Sequence, residues 1–144
     1  MMIATLFRAC YSWGVKTVSG TVKNTNKTTF EFESLNPNER LRELVLYITE
    51  RHQGDATLGK TKLNKILFFS DFLFYAESGG PITGTAYKKD EFGPVPANIG
   101  TVLEQMKSKG EIEERFLQRG RFRQRVFAPK RKADLKMFSE AQIA

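Results

Sequence analysis

A single cysteine and a single histidine stand among 144 residues, and those two scarcities exclude much chemistry. Cys10 has no partner in the chain with which to form a disulfide. One Cys and one His (His52) cannot supply the ligand set of a structural zinc site or the thiolates of an iron–sulfur cluster. Any Cys-His or Ser-His catalytic pairing would have to run through His52. Apolar runs of about 18 residues are also missing, so no segment reads as a membrane span. The first ten residues lack a basic lead and are interrupted by Arg8, which makes a poor secretory signal. The expected compartment is the cytoplasm.

What is present is the composition of an ordinary globular domain, 40% hydrophobic and 27% charged, with a net charge of +7. A chain of this length normally forms one domain with a real core. The positive excess is uneven. Residues 37–110 carry ten basic and nine acidic side chains, whereas 111–144 carry nine and five. Between Arg115 and Lys132 lie eight basic residues and no acidic one. A basic cluster of this kind invites a nucleic-acid reading or an acidic protein partner.

Residues 1–34 read as an appendage. Ile3, Leu6, Phe7 and Cys10 have the spacing of one short amphipathic helix, followed by a stretch rich in Thr, Asn and Lys. The domain is expected over 35–144. Asn36-Pro37-Asn38-Glu39 is a helix start, with Asn36 as the cap and Leu41, Leu44, Val45 and Ile48 as the apolar face of a helix over 37–53. A second helix over 62–78, capped by Thr61, is apolar nearly all round, the pattern of a buried central helix. Residues 82–92 read as irregular or partly extended, and Gly93-Pro94-Val95-Pro96 as a rigid turn. A third helix over 97–109 buries Ile99, Val102, Leu103 and Met106 and ends at Gly110. A β-hairpin over 111–128 follows. The last six residues start a helix that stops after one turn, which leads us to expect a chain truncated at its C-terminus. The expected fold class is therefore α+β and mainly α-helical: a central buried helix packed by two others, with a C-terminal hairpin.

The hairpin register can be argued from its turn. A three-residue loop, Gln118-Arg119-Gly120, places glycine where positive φ is needed and pairs Phe116 with Phe122 and Ile112 with Val126. The outer face would then oppose Arg115 to Arg123, a like-charge pair that suggests an anionic or acidic partner. Alternatively, the arginine stems cover apolar surface while their heads remain in water. A winged-helix-like reading with the hairpin as wing is weakened by the long gap between the second and third helices, since a helix-turn-helix uses about 3–4 residues.

Catalytic candidates are few. Asp71, Asp90 and Glu91 could form paired carboxylates, although nothing fixes their separation. His52 reads as a solvated helix-end residue. Gly54 to Thr61 matches the G-x-x-x-x-G-K-[ST] phosphate loop literally, but a helical pattern rather than a strand precedes it, so we read the match as chance. No enzyme, metal or cofactor is expected.

Three segments in order carry a resemblance. Lys62-Leu63-Asn64-Lys65-Ile66-Leu67-Phe68-Phe69, then Gly80-Pro81-Ile82-Thr83-Gly84 with Tyr87, then Phe92-Gly93-Pro94-Val95-Pro96 resemble the successive motifs of the Panacea domain, the SocA-like antitoxin family. The likeness covers about residues 37–143. It implies a mainly helical fold with a small β element and a prophage-associated or toxin–antitoxin role. On that resemblance the partner is a cognate toxin encoded nearby and neutralised by direct contact, with delivery to an ATP-dependent protease as one variant of the mechanism. Nucleic acid is the alternative partner, through the basic hairpin. Candidate contact residues are Lys62, Lys65, Tyr87, Phe92, Gly93, Pro94, Val95, Pro96, Arg115, Arg121, Arg123 and Arg125. Lys62, Lys65 and Tyr87 could either face a partner or pin the adjoining loop.

Overall fold

The computed structural model describes residues 36–55 and 57–143, so the expectations for residues 1–34 lie outside the described residues. Helix α1 (Pro37–Arg51) opens as the sequence suggests, with proline in the first turn, where a missing N–H is harmless. Asn36 caps it through its backbone alone. Its φ is 58°, its carbonyl accepts the N–H groups of Glu39 and Arg40 at 3.1 Å, and its side chain makes no capping bond. Asparagine is one of the few non-glycine residues that enters the left-handed region at low cost. Helix α2 (Lys60–Ser78) has Gly59 at its N-cap, which places the expected cap Thr61 inside the first turn.

The centre of the domain is α1, which corrects the expectation for α2. Leu41, Val45 and Leu46 have no exposed surface, Leu44 and Ile48 have little, and the helix packs against α2, β4 (Phe122–Pro129) and α3 (Ile99–Ser108). On α2 only Leu63, Asn64, Leu67 and Asp71 are buried, while Phe69 and Tyr75 remain 39% and 42% exposed. Its apolar residues go all round because one flank packs on the core and another forms an aromatic cluster around Tyr87. Phe68 and Phe72 meet that ring edge-on at 5.4 and 5.6 Å.

Among the described residues, two small antiparallel hairpins complete a mixed α+β architecture with four helices. The first pairs β1 (Tyr87–Asp90) with β2 (Gly93–Pro96), so the segment read as a Gly-Pro turn is a strand packed on α2. Two prolines are tolerated there because the register pairs Pro94 with Lys89 and Pro96 with Tyr87. Ladder bonds alternate along an antiparallel pair, so the bonded positions fall on Gly93, Val95 and then Ala97, whose N–H reaches the Ala86 carbonyl at 2.7 Å. Helix α3 buries Ile99, Val102, Leu103 and Met106 as expected. It closes at Gly110 (φ 67°), with Gly110 N–H on Lys107 O and Glu111 N–H on Met106 O, the bond pair of a Schellman cap.

The second hairpin joins β3 (Ile112–Arg119) to β4 in a register different from the one expected. Arg119 pairs with Phe122, Phe116 with Arg125, and Ile112 with Pro129. The loop is the two residues Gly120-Arg121, with positive φ at the first and not the second, as in a type II′ turn. Glycine satisfies either loop; the shorter one matches the strand twist and sends Ile112 and Phe127 together into the core. After β4 the chain runs without regular structure to the single turn α4 (Glu140–Ile143), where Ser139 Oγ accepts the Gln142 N–H.

Candidate binding surface

The polar interior is built first, because it decides which side chains are left for contact. Asp71 has no exposed surface, yet it accepts hydrogen bonds from Thr83 N–H at 2.6 Å, from the Thr83 hydroxyl, and from Tyr87 Oη at 2.7 Å. Tyr87 Oη also lies 3.0 Å from the Leu67 carbonyl. Burial pushes the Asp71 carboxyl above its ordinary range against those bonds, and burial beside Asp71 pushes the Tyr87 phenol far up. Of its two possible roles Tyr87 therefore takes the second: it pins the loop and offers no surface. The segment Gly80–Gly84, a hook between α2 and β1, and Tyr87 thus meet on one carboxylate of α2. Asp71 and Asp90 form no catalytic pair, since Asp71 is sealed and Asp90 is exposed and accepts the Glu91 N–H.

A second polar strut ties α1 to the segment after β4. Glu43 is 2% exposed and takes a two-pronged contact from Arg131, at 2.8 and 2.6 Å, plus the Asp134 N–H at 2.7 Å. Burial would raise the Glu43 pKa, but the Arg131 and Asp134 bonds prevail and lower it. Arg131 also holds Glu111 at 2.9 Å. Arg40 makes a parallel tie, from Nε to the Ile82 carbonyl at 2.6 Å and from Nη2 to Gln142 at 2.9 Å. None of Glu43, Arg131 or Arg40 stands out in the sequence. Asp71, read from the sequence as a carboxylate candidate for catalysis, is also the one charge between Ile66 and Ala76, and that isolation in an apolar helix was the signal of its structural role.

The remaining candidates divide between two places. Beside α2, Lys62 is ion-paired to Asp55 at 2.9 Å, where hydrogen bonds from Thr57 and then from Lys62 hold that carboxyl well below its usual range, and Lys65 is exposed. Phe92 projects 68% exposed from the β1–β2 turn; Gly93 and Pro94 are half-buried, and Val95 and Pro96 are buried. On the second hairpin the expected opposition of Arg115 to Arg123 does not exist. Arg115 lies opposite Val126 and pairs with Glu113 at 3.0 Å. Arg125 pairs with Glu114 and approaches Glu104 at 3.5 Å. Arg123 stacks over the Phe116 ring at 4.2 Å, and Arg121 is exposed at the turn.

The loop resembling a phosphate site joins two helices, and its second glycine serves the hairpin. Gly59 bridges to Val126, and a Cβ there would meet the Gln124 side chain at 2.5 Å. A cleft of about 460 Å³ lies between the end of α1 and the hairpin, with Leu117, Val126 and Pro129 on one wall and His52 on the other. The His52 Nδ1 is already engaged with the Ile48 carbonyl at 2.8 Å. Among the described residues no group of His, Cys, Asp and Glu is placed to hold a metal ion, and no helix is long and apolar enough to cross a membrane.

This is a mixed α+β domain whose buried carboxylates serve internal struts and whose most exposed aromatic side chains, Phe92, Phe116 and Phe122, sit on hairpins. The chain belongs to the family described as Antitoxin SocA-like, Panacea domain, whose profile matches residues 63–143. Comparison with curated proteins and with solved structures gave no match.

Proposed function

We propose that this chain is an antitoxin-type binding protein that neutralises a partner toxin by direct contact, with no catalytic step of its own. Family membership over residues 63–143 is the observation that carries the reading. The structure is compatible with it, because the first two family-like motifs serve to brace α2 and the Gly80–Gly84 segment, which leaves the hairpin turns as contact elements. The working unit is the domain over 35–144, acting in the cytoplasm on a toxin encoded beside it, with handover to an ATP-dependent protease as a further route of neutralisation. Ion pairing of Arg115, Arg125 and Arg131 weakens the nucleic-acid alternative, since those cations already have carboxylate partners. Co-expression of this chain with the adjacent open reading frame tests the proposal. Growth restored and a complex recovered are expected; a neighbour that is harmless alone, or still toxic beside this chain, rejects it.

A further inference from the structure

The arginines of the second hairpin fall into two groups along its length. At the base each has a carboxylate: Glu113 for Arg115, Glu114 for Arg125, and Glu43 with Glu111 for Arg131. Beyond Arg115 no acidic residue occurs until Asp134. Among the described residues Arg121 has no carboxylate within ion-pair distance, and Arg123 rests on an aromatic ring instead. The same distal stretch exposes two large apolar side chains, Phe122 at 79% and Phe116 at 50%. Their register puts them on opposite faces of the ribbon. Phe116 shares a face with Arg123 and Arg125, and Phe122 shares the other with Leu117.

We infer that the distal half of this hairpin is a finger that inserts into an apolar cleft, rimmed by carboxylates, on the partner protein; this rests on the proposed function. A flat surface can cover one face of a two-stranded ribbon, so both rings are buried together only when the partner surrounds the tip. Aromatic anchors seated in a pocket and edged by arginine have the anatomy of an interface hot spot. The unneutralised charge of Arg121 and Arg123 selects an acidic rim and speeds encounter. A nucleic-acid strand is the less fitting occupant, because a phosphate backbone offers no apolar seat for two exposed rings on opposite faces of the ribbon.

The test uses the full chain and the purified product of the adjacent gene, with affinity and association rate measured for wild type, Phe116→Ser, Phe122→Ser and the double variant Arg121→Glu/Arg123→Glu. Each serine variant should weaken binding about tenfold or more, and charge reversal should slow association by a similar factor that shrinks at high salt, all with unchanged thermal melts. Wild-type binding with unaffected variants overturns the finger and leaves the proposed function standing; no wild-type binding removes both. Loss at only one phenylalanine overturns insertion in favour of one-sided contact. An oligo-dT strand or a DNA duplex bound at physiological salt, and released by charge reversal, would show that the finger serves nucleic acid instead.

Discussion

At Asp71 and Glu43 two buried carboxylates meet opposite balances of the same forces. Each loses solvation, but Asp71 is compensated by neutral donors from Thr83 and Tyr87, whereas Glu43 faces a guanidinium. The Asp71 pKa is therefore raised from its ordinary 3.8 and that of Glu43 lowered from 4.5. A raised carboxyl contributes stability that is full below the unfolded value and is lost as pH rises through the folded one; a lowered carboxyl does the reverse. Asp71→Asn should thus gain on wild type as pH rises above 3.8. Glu43→Gln should lose ground as pH rises towards 4.5. Urea titrations at several pH values read both differences, and parallel slopes for variant and wild type would contradict the assignment. Removing only the phenol hydroxyl, in Tyr87→Phe, leaves the carboxylate with Thr83 and the Ile82 backbone and should cost about 1–2 kcal/mol.

At the scale of elements, α1 and α2 differ in how much of their apolar surface is collected. Leu46→Ala on α1 and Leu67→Ala on α2 remove side chains with no exposed area, and each should cost roughly 2–5 kcal/mol in a thermal or denaturant melt. Phe69→Ala should cost under about 1.5 kcal/mol, because that ring is 39% exposed and realises less of its transfer free energy. Equal losses at Leu67 and Phe69 would show that α2 is covered all round. The sequence made much of this legible. Three helices, the face of α3, the stop at Gly110 and the existence of the C-terminal hairpin all follow from periodicity and glycine placement. What it left hidden depends on tertiary partners. An all-apolar helix reports that its surface is sticky, but not which flank is filled. Gly120 satisfies two loop lengths, and only the joint burial of Ile112 and Phe127 chooses between them. Prolines read as turn residues because local rules cannot see that Pro94 and Pro96 fall on non-bonded positions of a strand. The candidate contact residues were legible only as residue types, while the register was needed to see that Arg115 and Arg125 have carboxylate partners and that Arg123 stacks on Phe116.

Across the whole molecule, the long irregular stretch between β4 and α4 is held by ties that reach back to α1. Arg40 grips Ile82 and Gln142, and Glu43 grips Arg131 and the Asp134 N–H, so one helix fastens both the hook before β1 and the C-terminal segment. The described core runs from Leu41 to Phe138. Residues 1–34 include a stretch rich in Thr, Asn and Lys and precede the helix start at Asn36-Pro37, so deleting them should leave a cooperative melt within a few degrees of the full chain, and loss of cooperativity would make that segment integral. Arg131→Met asks more of the structure. It strips Glu43, a carboxylate with 3% exposed side chain, of its two-pronged partner, and an uncompensated buried charge costs about 3–5 kcal/mol when neither group reaches water. Here the guanidinium is 34% exposed and already partly screened, so a loss on the order of 2–3 kcal/mol is expected. The loss should appear locally before it appears globally, because the stretch it releases has no ladder of its own bonds. Lys132 and Lys136 are exposed within that stretch, which makes trypsin a direct reader of its opening. Cleavage after these lysines should accelerate about tenfold or more in Arg131→Met under native conditions, equivalent to at least about 1.4 kcal/mol of local destabilisation. Cleavage at the wild-type rate, with only the global melt displaced, would mean that the segment is fastened by Arg40 and the Phe138 side chain and that Glu43–Arg131 braces the core alone.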